Sequence, residues 1–150
     1  MFILMDSAKL TAIKISSGLM NNIPLIRKCA KMKLPIIIST GLTKIQDIKF
    51  ILNNFKKKKF KNFTLLKCTS SYPAPEEDTN LKVIEDLRKK FNITVGLSDH
   101  TEGIGVAIAS VVYGAALIEK HFTLNKKDGG LDDSFSIDPK ELKDLVIESK

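Results

Sequence analysis

The chain has two histidines, His100 and His121, 21 residues apart. Each closes a short apolar run, Val95-Gly-Leu-Ser-Asp-His100 and Ile118-Glu-Lys-His121. If those runs are neighbouring strands, the imidazoles share one sheet edge. Two nitrogen donors there could hold Mn²⁺, Fe²⁺, Co²⁺ or Zn²⁺ and leave positions open for a substrate. The alternative is that each ring only hydrogen-bonds at that edge, and spacing alone supports both.

Other reactive side chains sit at comparable positions. Lys14, Ser17, Ser39 and Ser98 fall at three strand ends and supply one positive charge and three hydroxyls, a donor set suited to phosphate. A single serine there serves equally well as a turn former. Tyr72, followed by Pro73-Ala74-Pro75-Glu76-Glu77, could line a pocket or anchor a rigid loop. Asp128-Gly-Gly-Leu-Asp132-Asp133 is an acidic loop just beyond His121, with Gly129 and Gly130 able to take positive φ. It could reach a bound ligand or be an ordinary turn.

The elements that must position these residues repeat. Five β-rich runs begin near Ala12, Pro35, Phe63, Ile93 and Ala116, at intervals of 23, 28, 30 and 23 residues. The intervals are those of βα units, and the strands are continuously apolar, as in a parallel sheet covered by helices. Helix starts are expected at Asn22 with Pro24, at Thr43 with Gln46 as a capping box, at Thr79, and at Asp138-Pro139 with Glu141. In the last helix Leu142, Leu145 and Val146 are expected to face inward. All five strands end in polar residues, at the edge where α/β sheets and barrels place their sites. An open doubly wound sheet would show the same alternation, and no G-x-G-x-x-G follows any strand.

Composition narrows the classes. At 150 residues and 43% hydrophobic, the chain has apolar material for one domain. The longest apolar stretch, from Gly103 to Ile118, is shorter than the roughly 20 residues of a membrane span and reads as a buried helix running into a buried strand. Met1 to Met5 has no signal-peptide pattern, so the expectation is a cytoplasmic protein without a membrane partner. Cys29 and Cys68 lack close-spaced metal-ligand partners and read as buried thiols. The formal charge is +7, and Lys56–Lys59 and Lys61 form one basic run. That run reads as a solvated helix end and not as a nucleic-acid surface, although a basic field favours small anions.

Taken in order, Lys14-Ile-Ser-Ser-Gly18, Pro35-Ile-Ile-Ile-Ser-Thr-Gly41, Leu66-Lys-Cys-Thr-Ser-Ser-Tyr-Pro-Ala-Pro75, Val95-Gly-Leu-Ser-Asp-His-Thr101 and Ile118-Glu-Lys-His-Phe-Thr123 resemble the sialic acid synthase family. Asp128-Gly-Gly-Leu-Asp-Asp-Ser-Phe-Ser136 is more similar to its pseudaminic acid synthase branch than to the N-acetylneuraminate branch. The resemblance implies an α/β fold, the C-terminal part of a (β/α)8 barrel with about its fourth to eighth strands. It also implies condensation of phosphoenolpyruvate with an amino-sugar aldehyde, in that branch a 2,4-diacetamido-2,4,6-trideoxy hexose. The products are a nine-carbon 2-keto acid such as pseudaminic acid, and phosphate. By motif, His100 and His121 match ligands of a divalent metal, usually Mn²⁺. Lys14, Ser17, Ser39 and Ser98 match phosphoenolpyruvate contacts, and Tyr72 and Asp132 match positions near the acceptor sugar. Glu119, the carboxylate nearest to His121, is the candidate proton handler, with a structural ion-pair role as its alternative.

A whole (β/α)8 barrel takes about 250 residues. The expectation is therefore that residues 1–150 are a partial barrel, without the first three strands or the family's C-terminal antifreeze-like domain. Met1 to Leu10 then resembles the tail of the helix before the fourth strand. Exposed strand edges imply pairing with a complementary N-terminal half or a second copy. Leu19 stands where the family commonly has a sugar-binding Glu. Two alternatives follow: a non-catalytic remnant, or an N-acetylneuraminate or legionaminate synthase fragment.

Overall fold

The computed structural model describes residues 10–57 and 62–150. The stretch Met1 to Met5, the expected helix tail before Leu10 and the side chains of the basic run from Lys56 to Lys61 lie outside the described residues. Two compact units divide the chain, the first ending at Thr64 and the second beginning at Leu65. Strand order follows chain order.

In the first unit β1 (Ile13–Ile15) lies parallel to β2 (Ile36–Ser39), with Ile13 opposite Ile36 and Ile15 opposite Ile38. Those four isoleucines are buried while Lys14 is exposed, so the pleat separates core from surface. Helix α1 (Ile23–Lys31) starts as its sequence suggests: the Asn22 side chain accepts from the Leu25 amide and Pro24 occupies the first turn. Helix α2 (Ile45–Lys57) buries Ile48, Ile51, Leu52 and Phe55, one stripe at three- and four-residue spacing. Phe55 stacks on Phe63 with ring centroids 5.3 Å apart.

The expected Thr43–Gln46 capping box is not formed. The Thr43 hydroxyl donates to the Thr40 carbonyl, and the Asp47 carboxylate instead accepts from the Lys44 amide, which moves the helix start on by one residue. Thr79 likewise does not cap a helix. Its hydroxyl donates to the Glu76 carbonyl and closes a 3-10 turn over Glu76–Asp78. In both cases a threonine hydroxyl finds a carbonyl three residues back, the local competition that makes such residues ambiguous in a sequence.

The boundary falls within β3 (Phe63–Cys68), and from Leu65 on the second unit contains α3 (Lys82–Phe91), β4 (Thr94–Asp99), α4 (Gly105–Val112), β5 (Ile118–Lys120) and α5 (Pro139–Glu148). β4 and β5 are parallel, with Leu97 opposite Ile118, Ser98 opposite Glu119 and Asp99 opposite Lys120. Ala107, Ile137 and Leu145 form a buried cluster beneath Ile104, Ile108 and Ile118. Helix α4 is apolar but not buried all round, since Val112 is 87% exposed. In α5 only Leu145 of the three expected inward residues is buried. Leu142 and Val146 are exposed, because a helix on one sheet face covers a single stripe of its circumference. Among the described residues no helix is long and apolar enough to cross a membrane.

A Cβ at Gly96 would sit far inside contact distance of the Leu117 carbonyl oxygen and 2.9 Å from Leu66 Cδ2. That same oxygen accepts from the Leu97 amide at 2.8 Å, so it cannot retreat without breaking the β4–β5 approach. Gly96→Ala is expected to lose about 1–3 kcal/mol in urea denaturation.

At α5 the expected capping box is present: Asp138 accepts from the Glu141 amide at 2.8 Å, and Glu141 accepts from the Asp138 amide at 2.9 Å. Asp138→Ala is expected to cost about 1 kcal/mol in the same measurement. The hydrogen bond from Lys126 holds the Glu141 carboxyl below its ordinary value of 4.5. The unfolded chain therefore takes up that proton first. The contribution is complete above pH 4.5 and is lost as pH falls through the lower folded value.

Candidate active site

Strand pleat decides which side chains meet at the ends of β4 and β5. With Ser98 opposite Glu119, alternate residues put Ser98, His100, Glu119 and His121 on one face and Asp99 and Lys120 on the other. The Ser98 hydroxyl donates to Glu119 Oε1 at 2.7 Å. The His100 and His121 rings lie 5.3 Å apart between centroids, inclined at 65°.

His100 is buried, and its Nδ1 lies 2.7 Å from the Thr69 carbonyl oxygen. A carbonyl only accepts, so Nδ1 carries the hydrogen and donates it. In the neutral ring Nε2 is then the bare nitrogen, the form in which histidine binds metals. His121 Nδ1 faces Asp132 Oδ2 at 3.4 Å. Burial and the neighbouring His100 push the His121 imidazole below its usual value, which favours its neutral form. At His100 burial also opposes the cation, but the Cys68 sulfur and the Thr69 carbonyl outweigh it and the net direction is upward.

Around the pair is an aromatic wall. The Tyr72 ring lies 4.1 Å from that of His100 and 5.8 Å from that of His121, and buried Phe135 lies 5.2 Å from His121. The loop carrying Tyr72 is tied to β4 by the Ala74 amide, which donates to the His100 carbonyl. Burial, then the charges of Cys68, Asp132 and Glu119, push the Tyr72 phenol up, so it keeps its proton. The loop carrying Asp132 is tied to β5, since the Ile137 amide donates to the His121 carbonyl and Ser136 caps the Asp132 carbonyl.

Six candidates, Tyr72, Ser98, His100, Glu119, His121 and Asp132, thus gather in the second unit. Lys14, Ser17 and Ser39 belong to the first. Lys14 is exposed on β1 and Ser17 opens a 3-10 turn over Ser17–Leu19. Ser39 ends β2 with its hydroxyl buried and, among the described residues, without a hydrogen-bond partner. Cys68 departs from its expected role as a buried thiol: it is half-buried, with Sγ 4.0 Å from His100 Nδ1. Burial works to raise its pKa, but hydrogen bonds and charge from His100, Ser98 and Ser70 bring it down. Phe135 and the Thr69 carbonyl were not legible as site groups. The first is an ordinary core aromatic in sequence, and the second is a backbone atom.

The donor chemistry fits a divalent metal: two imidazoles, His100 with Nδ1 donating to a carbonyl and His121 with Nδ1 3.4 Å from a carboxylate oxygen. Among the described residues no group of three or more His, Cys, Asp or Glu is placed to hold a metal ion.

The match to the NeuB family spans residues 2–150. The N,N'-diacetyllegionaminic acid synthase of Campylobacter jejuni is 44% identical over 147 residues, 97% of this chain and 44% of that protein. The pseudaminic acid synthase of the same species is 44% identical over 135 residues, 90% of this chain and 39% of that protein. The N-acetylneuraminic acid (sialic acid) synthetase structure from Leptospira borgpetersenii, in complex with citrate, superposes with a TM-score of 0.93 at 38% identity, over 99% of this chain and 52% of that one. The fold class is therefore an incomplete (β/α)8 barrel, and the open-sheet alternative is set aside. The chain spans less than half the length of the curated relatives it matches.

Proposed function

Because the chain belongs to the NeuB family, we propose that it carries much of the active face of a synthase joining phosphoenolpyruvate to an amino-sugar aldehyde. The observation that carries this reading is the His100–His121 pair, with the first ring's hydrogen placed by Thr69. The acceptor is proposed to be a 2,4-diacetamido-2,4,6-trideoxy hexose and the product a nine-carbon 2-keto acid such as pseudaminic acid. The legionaminic isomer is the second reading, favoured by equal identity, 44%, to the legionaminic and pseudaminic acid synthases of Campylobacter jejuni.

His100 and His121 would hold a divalent ion, proposed as Mn²⁺, which when bound supplies Lewis acidity toward the sugar aldehyde. The enol carbon of phosphoenolpyruvate attacks that aldehyde, water adds at the phosphate-bearing carbon, and phosphate leaves. Lys14, Ser17, Ser39 and Ser98 are proposed to bind phosphoenolpyruvate. A buried unpaired hydroxyl is costly unless a ligand satisfies it, which supports Ser39 in that role. Tyr72 and Asp132 would border the acceptor, and Glu119, which holds the Ser98 hydroxyl, would move the proton.

The test is phosphate release from phosphoenolpyruvate with the diacetamido hexose and Mn²⁺. It uses the chain alone, then the chain mixed with a polypeptide supplying the N-terminal strands of a relative. Turnover in either sample supports the reading, and dependence on the second polypeptide identifies a split enzyme. A folded chain silent in both samples overturns it. That result favours a non-catalytic segment, for which Leu19, 43% exposed in the turn after β1, is the specific observation. Sedimentation of the same samples distinguishes pairing with a complementary half from self-association.

A further inference from the structure

The residues before the two histidines have no part in the chemistry above. Asp99 and Lys120 are cross-strand partners on the opposite face, joined at 2.8 Å with side chains 1% and 4% exposed. The Lys120 ammonium also donates to the Thr101 carbonyl at 2.6 Å. Asp99 Oδ1 accepts from both the Thr101 amide and its hydroxyl at 3.0 Å. One side chain from β5 therefore grips the residues on either side of His100. β5 itself is three residues long. A slip of one residue against β4 would turn Glu119 and His121 off the site face and bring Lys120 onto it, beside Ile118 or Phe122 according to the direction.

We infer that Asp99, Lys120 and Thr101 form a positioning clamp that sets the β4–β5 register and with it the spacing of the two imidazoles. The inference rests on the proposed reading that His100 and His121 share one ligand. A buried ion pair is a poor device for stability, since apolar residues of similar volume often do as well, and its attested use is to select one register. The three residues act through the histidines and touch no substrate.

The test is the double variant Asp99→Leu/Lys120→Met, which leaves no lone charge behind, compared with the unaltered chain by two readouts. Mn²⁺ affinity is followed by the electron paramagnetic resonance of free Mn²⁺, and the His100 tautomer by imidazole nitrogen resonances without metal. The clamp predicts a folded variant with affinity weakened about 10–100-fold and a His100 ring no longer confined to the Nδ1–H form. A folded variant with unchanged affinity and tautomer overturns it. If the unaltered chain binds no Mn²⁺, the metal reading falls, and the tautomer alone decides the clamp. Should the double variant not fold, Thr101→Val, which keeps the ion pair and removes one donor, replaces it. Weakened affinity with a redistributed tautomer is expected there, and no change in either rejects the clamp.

Discussion

His100→Ala is expected to reduce Mn²⁺ affinity by at least about 100-fold and to bring phosphate release to background. Loss of a group that merely orients a ligand costs about 10–100-fold, and removing the ligand itself costs at least that. The expectation is specific to this ring because its geometry is already decided. The Thr69 carbonyl accepts from Nδ1 at 2.7 Å, so in the neutral ring Nε2 is bare. His121, whose Nδ1 faces Asp132, then has no second imidazole 5.3 Å away with which to share an ion. Direct titration of Mn²⁺ checks the first part and the phosphate assay the second. Circular dichroism confirms that the variant is folded, because His100 is buried and contacts Tyr72. Unchanged Mn²⁺ binding in a folded His100→Ala chain would remove the histidine pair as the metal site.

The second large effect is expected at Glu119. Its carboxylate accepts from the Ser98 hydroxyl at 2.7 Å, and the register of β4 and β5 places the two residues directly opposite. Two roles are compatible with that contact: moving a proton during the reaction, or only holding Ser98 toward phosphoenolpyruvate. Glu119→Gln separates them, since the amide oxygen still accepts from Ser98 but cannot exchange a proton. A proton-transfer role predicts a fall in kcat of about 10²–10⁴-fold with KM for phosphoenolpyruvate little changed. Turnover equal to that of the unaltered chain would leave Glu119 as the acceptor for Ser98 alone.

The parts of the molecule that were legible in the sequence are those set by local chemistry. The five strands begin within about two residues of the expected runs, and α1 and α5 start at Asn22 and Asp138 as their capping residues imply. The order of the strand-end motifs is itself enough to mark the family. Thr43 and Thr79 are ambiguous in sequence because a hydroxyl can satisfy either a helix amide or a carbonyl three residues back, and in the fold both take the carbonyl. Leu142 and Val146 misled because helical periodicity reports which residues share a face, not how much of that face a neighbour covers.

Sequence by itself determined that His100 and His121 end adjacent βα units, and that serines, Glu119 and Asp132 stand near such ends. It could not determine the tautomer of His100, because the carbonyl that selects it belongs to Thr69, 31 residues earlier. Nor could it place Cys68 beside that ring, or join Asp99 to Lys120 across 21 residues behind the site. Periodicity is written along the chain, one residue after the next. Proton positions and buried ion pairs depend on which distant groups the folded backbone brings to within 3 Å, and only the tertiary structure supplies that distance.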